Sequence, residues 1–130
     1  MMGVQLIEDL KTTDPENGAP IEIFGEGMRE NWVQGPRERA TVNRWLAANC
    51  FGDYYTRGGL TLAEREMVTF CYLIAQGGCD LQATAHAGGN LALGNDRDFL
   101  YAVVHQALPF IGYPRSLNGL ACIDAAAKEL

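Results

Sequence analysis

The sequence predicts an all-α domain, an antiparallel helical bundle with an irregular N-terminal arm. Three observations predict it. No polar–apolar alternation of the kind a half-buried strand needs occurs after residue 25. Helix start and stop signals recur along the rest of the chain. The breaks between them are short, which makes successive helices antiparallel neighbours.

Residues 1–25 read as the arm. Asp14-Pro15, Asn17-Gly18 and Ala19-Pro20 are turn signals in close succession, with room for one helical turn at Val4 to Leu10. Residues 26–130 read as one helical domain. Pro36 is placed to open a helix running from Arg37 to about Asn49. The segment Cys50 to Arg57 follows, and Gly58-Gly59 breaks the chain. Thr61 and Glu64 form a capping box for a helix that runs to Gln76 and stops at Gly77-Gly78. The second half of this helix is apolar on all sides, which predicts a place at the centre of the domain or of an assembly.

Residues 79–93 form the next helix, ended by Gly94 and rich in small side chains. Its interior Gly88 and Gly89 each cost about 1 kcal/mol of helix stability. Close approach of another helix or a ligand is the expected compensation. Asn95 or Asp96 caps the following helix, whose stripe is Leu100, Val103, Val104, Ala107, Leu108 and Ile111. Gly112 ends it. Pro114 opens a last helix to about Glu129, with Asp124 and Lys128 as a surface i,i+4 pair.

Composition narrows the function. A chain of 130 residues fits one domain, and 48% hydrophobic with 20% charged residues excludes wholesale disorder. The net charge is -6, from 10 basic and 16 acidic residues, with no basic run. That argues against nucleic acid and against a membrane surface as partners. The start lacks a basic segment followed by an apolar one, so no secretory signal is expected. The longest apolar stretch, Met67 to Ala75, falls far short of the ~20 residues of a membrane helix. A cytoplasmic location is expected. Cysteines 50, 71, 79 and 122 show no metal-like spacing, so reduced thiols and no metal or other cofactor are expected.

Few residues carry chemistry. His86 sits mid-helix among small side chains and is the natural general acid or base. Cys79 stands at the start of the same helix, where thiolates are favoured. Seven residues separate the two, about 10 Å along the axis and too far for a direct hydrogen bond. Gln82, one turn before His86, is the side chain in position to contact it. His105 and Gln106 flank the apolar stripe of the next helix, and Phe110 to Asn118 reads as a helix–break–helix turn.

These residues resemble a known family. Phe51-Gly52-Asp53-Tyr54-Tyr55-Thr56-Arg57-Gly58-Gly59-Leu60-Thr61, followed by Glu64-Arg65-Glu66, is similar to the opening signature of carboxymuconolactone decarboxylases. Ala85-His86-Ala87 with Gly94 resembles that family's histidine helix. Gly112-Tyr113-Pro114-Arg115-Ser116-Leu117-Asn118-Gly119-Leu120 resembles its closing glycine-x-proline motif. The matches come in order over roughly residues 28–125. The superfamily also holds the alkyl hydroperoxidase D-like proteins, and the resemblance implies an all-α bundle assembled as trimers or hexamers.

It also implies one of two chemistries. The decarboxylase branch implies cofactor-free loss of carbon dioxide from a carboxylated lactone or related small acid. His86 is then the proton donor, Arg57 the carboxylate anchor, and Gln82 or Gln106 an orienting group. Arg57 and Arg115 would form a small basic pocket on an acidic molecule. The peroxidase branch uses a CxxCxxxH motif on the histidine helix, with a glutamate upstream. Cys79 and His86 match its first cysteine and its histidine, while Gln82 stands at the second cysteine position. A thiol-dependent peroxidase through Cys79 is the alternative, with Cys71 or Cys50 as a partner thiol. A non-catalytic oligomeric binding protein is the third reading.

Overall fold

The computed structural model describes Ile23, Phe24 and residues 35–129. The expected arm, apart from Ile23 and Phe24, lies outside the described residues. Chain contacts divide the protein into two units, Met1–Leu60 and Thr61–Leu130.

In the first unit, Pro36 has extended backbone and directly precedes a single 3-10 turn, Arg37–Arg39. Helix α1 (Ala40–Trp45) follows and continues as a wider π-helical stretch, Leu46–Tyr54. The helical segment therefore runs past Asn49, the end expected from sequence. The i→i+5 bond from Tyr55 N–H to the Cys50 carbonyl, 3.2 Å, closes its last turn. Continuing the helix buries Phe51 and Tyr55, whose ring centroids lie 5.1 Å apart. Phe24 meets Phe51 edge-on at 6.1 Å. Aromatic burial thus carries the helix past the end that the sequence suggests at about Asn49.

The second unit holds α2 (Leu62–Gln76), α3 (Asp80–Ala92) and α4 (Arg97–Lys128). No strand occurs among the described residues. The capping box of α2 is reciprocal. The Glu64 N–H donates to Thr61 Oγ1 at 3.2 Å, and the Thr61 N–H donates to Glu64 Oε2 at 2.7 Å. Gly77 ends α2 in a backbone region that only glycine enters readily (φ 72°, ψ 163°). A side chain there would also meet Arg115, whose Nε lies 2.9 Å from the position of a Cβ.

Helix α4 is two helical segments joined at Gly112 (φ 79°, ψ 172°), with Pro114 just after the break, as the glycine and proline signals predict. Asp96 caps it, its side chain accepting from the Phe99 N–H at 2.8 Å. The second segment folds back on the first. At Gly119 a Cβ would lie 3.1 Å from Ile74 Cγ2 and 3.5 Å from Val104 Cγ2. The tight helix approach is therefore at Gly119. Of the two glycines where a close approach was expected, Gly89 is buried, while at Gly88 the nearest atom to a Cβ would be the Ala126 methyl at 4.0 Å, an ordinary contact.

Phe70 and Ile74 of α2, Ala83 and Ala87 of α3, and Leu100, Val104, Cys122, Ile123 and Ala126 of α4 make the core. The second half of α2 is only partly covered within the chain, since Tyr72 is 74% exposed. Lys128 acts on Asp124 as a nearby charge, as the spacing suggests, but the hydrogen bonds of Asp124 go elsewhere. Asp124 accepts from Arg97 Nη2 at 2.7 Å and from the Tyr101 hydroxyl at 2.8 Å. Arg97 in turn stacks on the Tyr101 ring at 4.2 Å. This cluster clasps the two segments of α4 together. No described helix is long and apolar enough to cross a membrane.

Candidate functional site

The buried face of α2 is Glu66, Phe70 and Ile74, spaced i, i+4, i+8. A carboxylate thus occupies the first position of a core stripe, with no solvent exposure. Burying an ionised carboxylate is costly unless it is paired. Its partner is on the facing helix: His86 Nδ1 lies 2.8 Å from Glu66 Oε2. The imidazole itself is 16% exposed, so the pair has one dry end and one end that reaches solvent.

The pairing fixes the tautomer. An ionised carboxylate only accepts hydrogen bonds, so against it Nδ1 carries the proton of this bond. Side chains on a helix lean towards its N-terminus, which sets the ring over the turn carrying Gln82 and Ala83.

A second layer locks the two helices in register. Asn90 is fully buried, and its Nδ2 donates to the His86 carbonyl at 2.7 Å. Its Oδ1 accepts from Asn95 Nδ2 at 2.8 Å, and Asn95 Nδ2 also donates to the Ala63 carbonyl at 2.9 Å. The chain after α3 is thereby tied to the first turn of α2, the helix that carries Glu66.

One turn ahead of His86, a small crevice of about 10 Å³ lies between α2, α3 and α4. Leu73, Gly77, Asp80, Ala83, Arg115 and Cys122 are among its walls. Arg115, expected to bind an anion, lines this crevice. Cys79 stands immediately before α3, and its Sγ donates to the Leu73 carbonyl at 3.2 Å. Gln82 and Gln106 are exposed and are not among the crevice walls. Arg57 belongs to the first unit, where its guanidinium stacks over the Tyr54 ring at 4.7 Å.

The pairing partner of His86 is the residue that sequence reasoning missed. Glu66 stands in the matched string Glu64-Arg65-Glu66, yet no role was assigned to it. The available signal was its phase: it falls in register with Phe70 and Ile74, where an unpartnered charge does not belong. Among the described residues, no cluster of three histidine, cysteine or acidic side chains is placed to hold a metal ion.

No curated protein matches the chain. The sequence model of the carboxymuconolactone decarboxylase family matches residues 40–125, a span that takes in Glu66, Cys79, His86 and Arg115. The match covers well over half of the chain, and with the helical architecture it shows that the protein belongs to the carboxymuconolactone decarboxylase family.

Proposed function

We propose that the protein is a cofactor-free carbon–carbon lyase that removes carbon dioxide from a carboxylated unsaturated lactone or a related small acid. The observation that carries this reading is the Glu66–His86 pair, a proton donor that reaches solvent backed by a buried carboxylate. When the carbon–carboxylate bond breaks, its electrons pass through the unsaturated system to the lactone carbonyl oxygen and form a dienolate. A proton must then reach carbon. Doubly protonated His86 delivers it from Nε2 and is left as the Nδ1–H tautomer that Glu66 already holds. Arg115 is the cation at the neighbouring crevice for a substrate carboxylate.

Assembly is the second part of the proposal. Phe110, Tyr113 and Leu117 of α4 and Leu81 of α3 are large apolar side chains left exposed, Phe110 by 88%. Covering them with further copies of the chain is the reading that fits a family of oligomers. Light scattering tests it: a particle of 14.2 kDa would overturn it.

The activity test follows the ultraviolet absorbance of 4-carboxymuconolactone with wild type, His86→Ala and Cys79→Ser. Loss of absorbance with wild type and Cys79→Ser, and a rate lower by about 10²–10⁴-fold with His86→Ala, is the expected outcome. Equal rates for all three proteins would overturn the reading.

A further inference from the structure

We infer that Asn90 and Asn95 are positioning residues for the Glu66–His86 pair, two amides that form a hydrogen-bonded bridge and hold the imidazole in place for proton transfer. The inference deepens the lyase reading and rests on it for its kinetic test, while its spectroscopic test stands on the pair alone.

The bridge begins with a local chain reversal. Gly94, at φ 93°, follows the end of α3. Its N–H donates to the Leu91 carbonyl at 3.1 Å, and the Asn95 N–H donates to the Asn90 carbonyl at 3.0 Å. This pair of bonds turns the chain back over the helix end and sets Asn95 beside Asn90. The side chains then meet, Asn95 Nδ2 donating to Asn90 Oδ1 at 2.8 Å.

The two ends of the bridge decide which way both amides face. Asn90 Nδ2 lies 2.7 Å from the His86 carbonyl, and Asn95 Nδ2 lies 2.9 Å from the Ala63 carbonyl. A carbonyl only accepts, so each amide must turn its nitrogen to the carbonyl it meets. Asn90 Oδ1 is then left to accept the second Asn95 proton. Turning either amide over would set oxygen against oxygen.

The bridge closes a ring around the pair. Ala63 stands about one turn before Glu66 on α2, and Asn90 about one turn after His86 on α3. Glu66 and His86 join the two helices through side chains at 2.8 Å, and the bridge joins the same helices through the backbone carbonyls of Ala63 and His86. One linkage lets two helices slide or roll about it, and two linkages a turn apart do not. A slide of about 1 Å would stretch the Glu66–His86 contact past hydrogen-bonding range. Misplacement on that scale costs about 10²-fold in rate.

Burial points the same way. Asn90 has no solvent exposure, and a buried amide is costly unless its polar atoms find partners. The partner its nitrogen finds is the backbone of the histidine itself.

The test compares wild type, Asn95→Ala and Asn90→Ala at a temperature where thermal melts show each to be folded. It reads kcat and KM for 4-carboxymuconolactone, and the exchange rate of the His86 Nδ1 proton by NMR. Both variants are expected to lower kcat about 10–10²-fold with KM unchanged. Both are expected to speed exchange of the Nδ1 proton by about 10-fold or more, because a loosened pair opens more often. Amides with a merely structural role would lower the melting temperature and leave kcat and exchange of the folded protein at wild-type values, and that result overturns the inference. A raised KM with unchanged kcat overturns it too. Should the wild type leave the lactone untouched, the lyase reading fails and Nδ1 exchange alone decides: faster exchange in Asn95→Ala supports the bridge, and unchanged exchange overturns it. Asn95 is only half-buried, so Asn95→Ala decides the matter even if Asn90→Ala does not fold.

Discussion

Glu66 Oε2 and His86 Nδ1 lie 2.8 Å apart across the α2–α3 interface, the carboxylate wholly buried and the imidazole reaching solvent. A carboxylate at that depth adds nothing to the core that Leu would not, so its placement is explained by the proton it holds. With Glu66 as acceptor, the Nδ1 proton of His86 sits in that bond. Nitrogen-detected NMR of the imidazole is expected to show a protected Nδ1–H that Glu66→Leu abolishes. A ring with a bare Nδ1 and a protonated Nε2 in the wild type would contradict the pairing.

Asn90 supports that geometry from below. Its side chain joins the His86 carbonyl to Asn95. Asn90→Ala removes both of these bonds and is expected to cost about 1–3 kcal/mol. Urea unfolding measures it, and an unchanged midpoint would show the network to be dispensable.

Two glycines in one fold are expected to respond in opposite directions. Gly112 sits at φ 79° and ψ 172°, so Gly112→Ala should destabilise by about 1–3 kcal/mol. Gly88 is helical with Ala126 no nearer than 4.0 Å to an added methyl, so Gly88→Ala should stabilise by roughly 0.5–1 kcal/mol. Thermal melts of the two variants check the sign of each.

The clasp across α4 makes stability depend on pH. The Tyr101 hydroxyl and then the Arg97 guanidinium hold the Asp124 carboxyl below its ordinary 3.8. A depressed folded-state value contributes stability that is complete above the ordinary carboxylate value and disappears as pH falls through the lowered one. Tyr101 is pushed up, first by its bond to Asp124, so its contribution is present below 10.0 and fades as pH rises through the raised value. Melting temperatures of wild type and Asp124→Asn should differ at neutral pH and converge in strong acid. A constant difference down to that range would remove Asp124 from the account.

Much of this arrangement can be read from the sequence. Thr61, Glu64, Gly77, Asp96, Gly112 and Pro114 mark helix ends by local chemistry, and local chemistry is what a sequence displays directly. His86 stands out by type and surroundings. The extension of the first helix to Tyr54 was hidden, because burial of Phe51 and Tyr55 is a tertiary gain that local pattern does not display. The Asp124 partner was hidden too. Lys128 is one turn away, but Arg97 arrives only when Gly112 folds α4 back on itself. Glu66 was visible as a charge in phase with Phe70 and Ile74, yet its partner lies twenty residues on, across a turn whose geometry the sequence does not display.

The central claim is that Glu66 and His86 act as one unit in proton transfer. A double-mutant cycle on 4-carboxymuconolactone decarboxylation, with Glu66→Gln, His86→Ala and both together, tests it most directly. His86→Ala is expected to lower kcat by about 10²–10⁴-fold, and adding Glu66→Gln to it should lower kcat no further. If the two losses simply multiply, the residues act independently and the account is wrong.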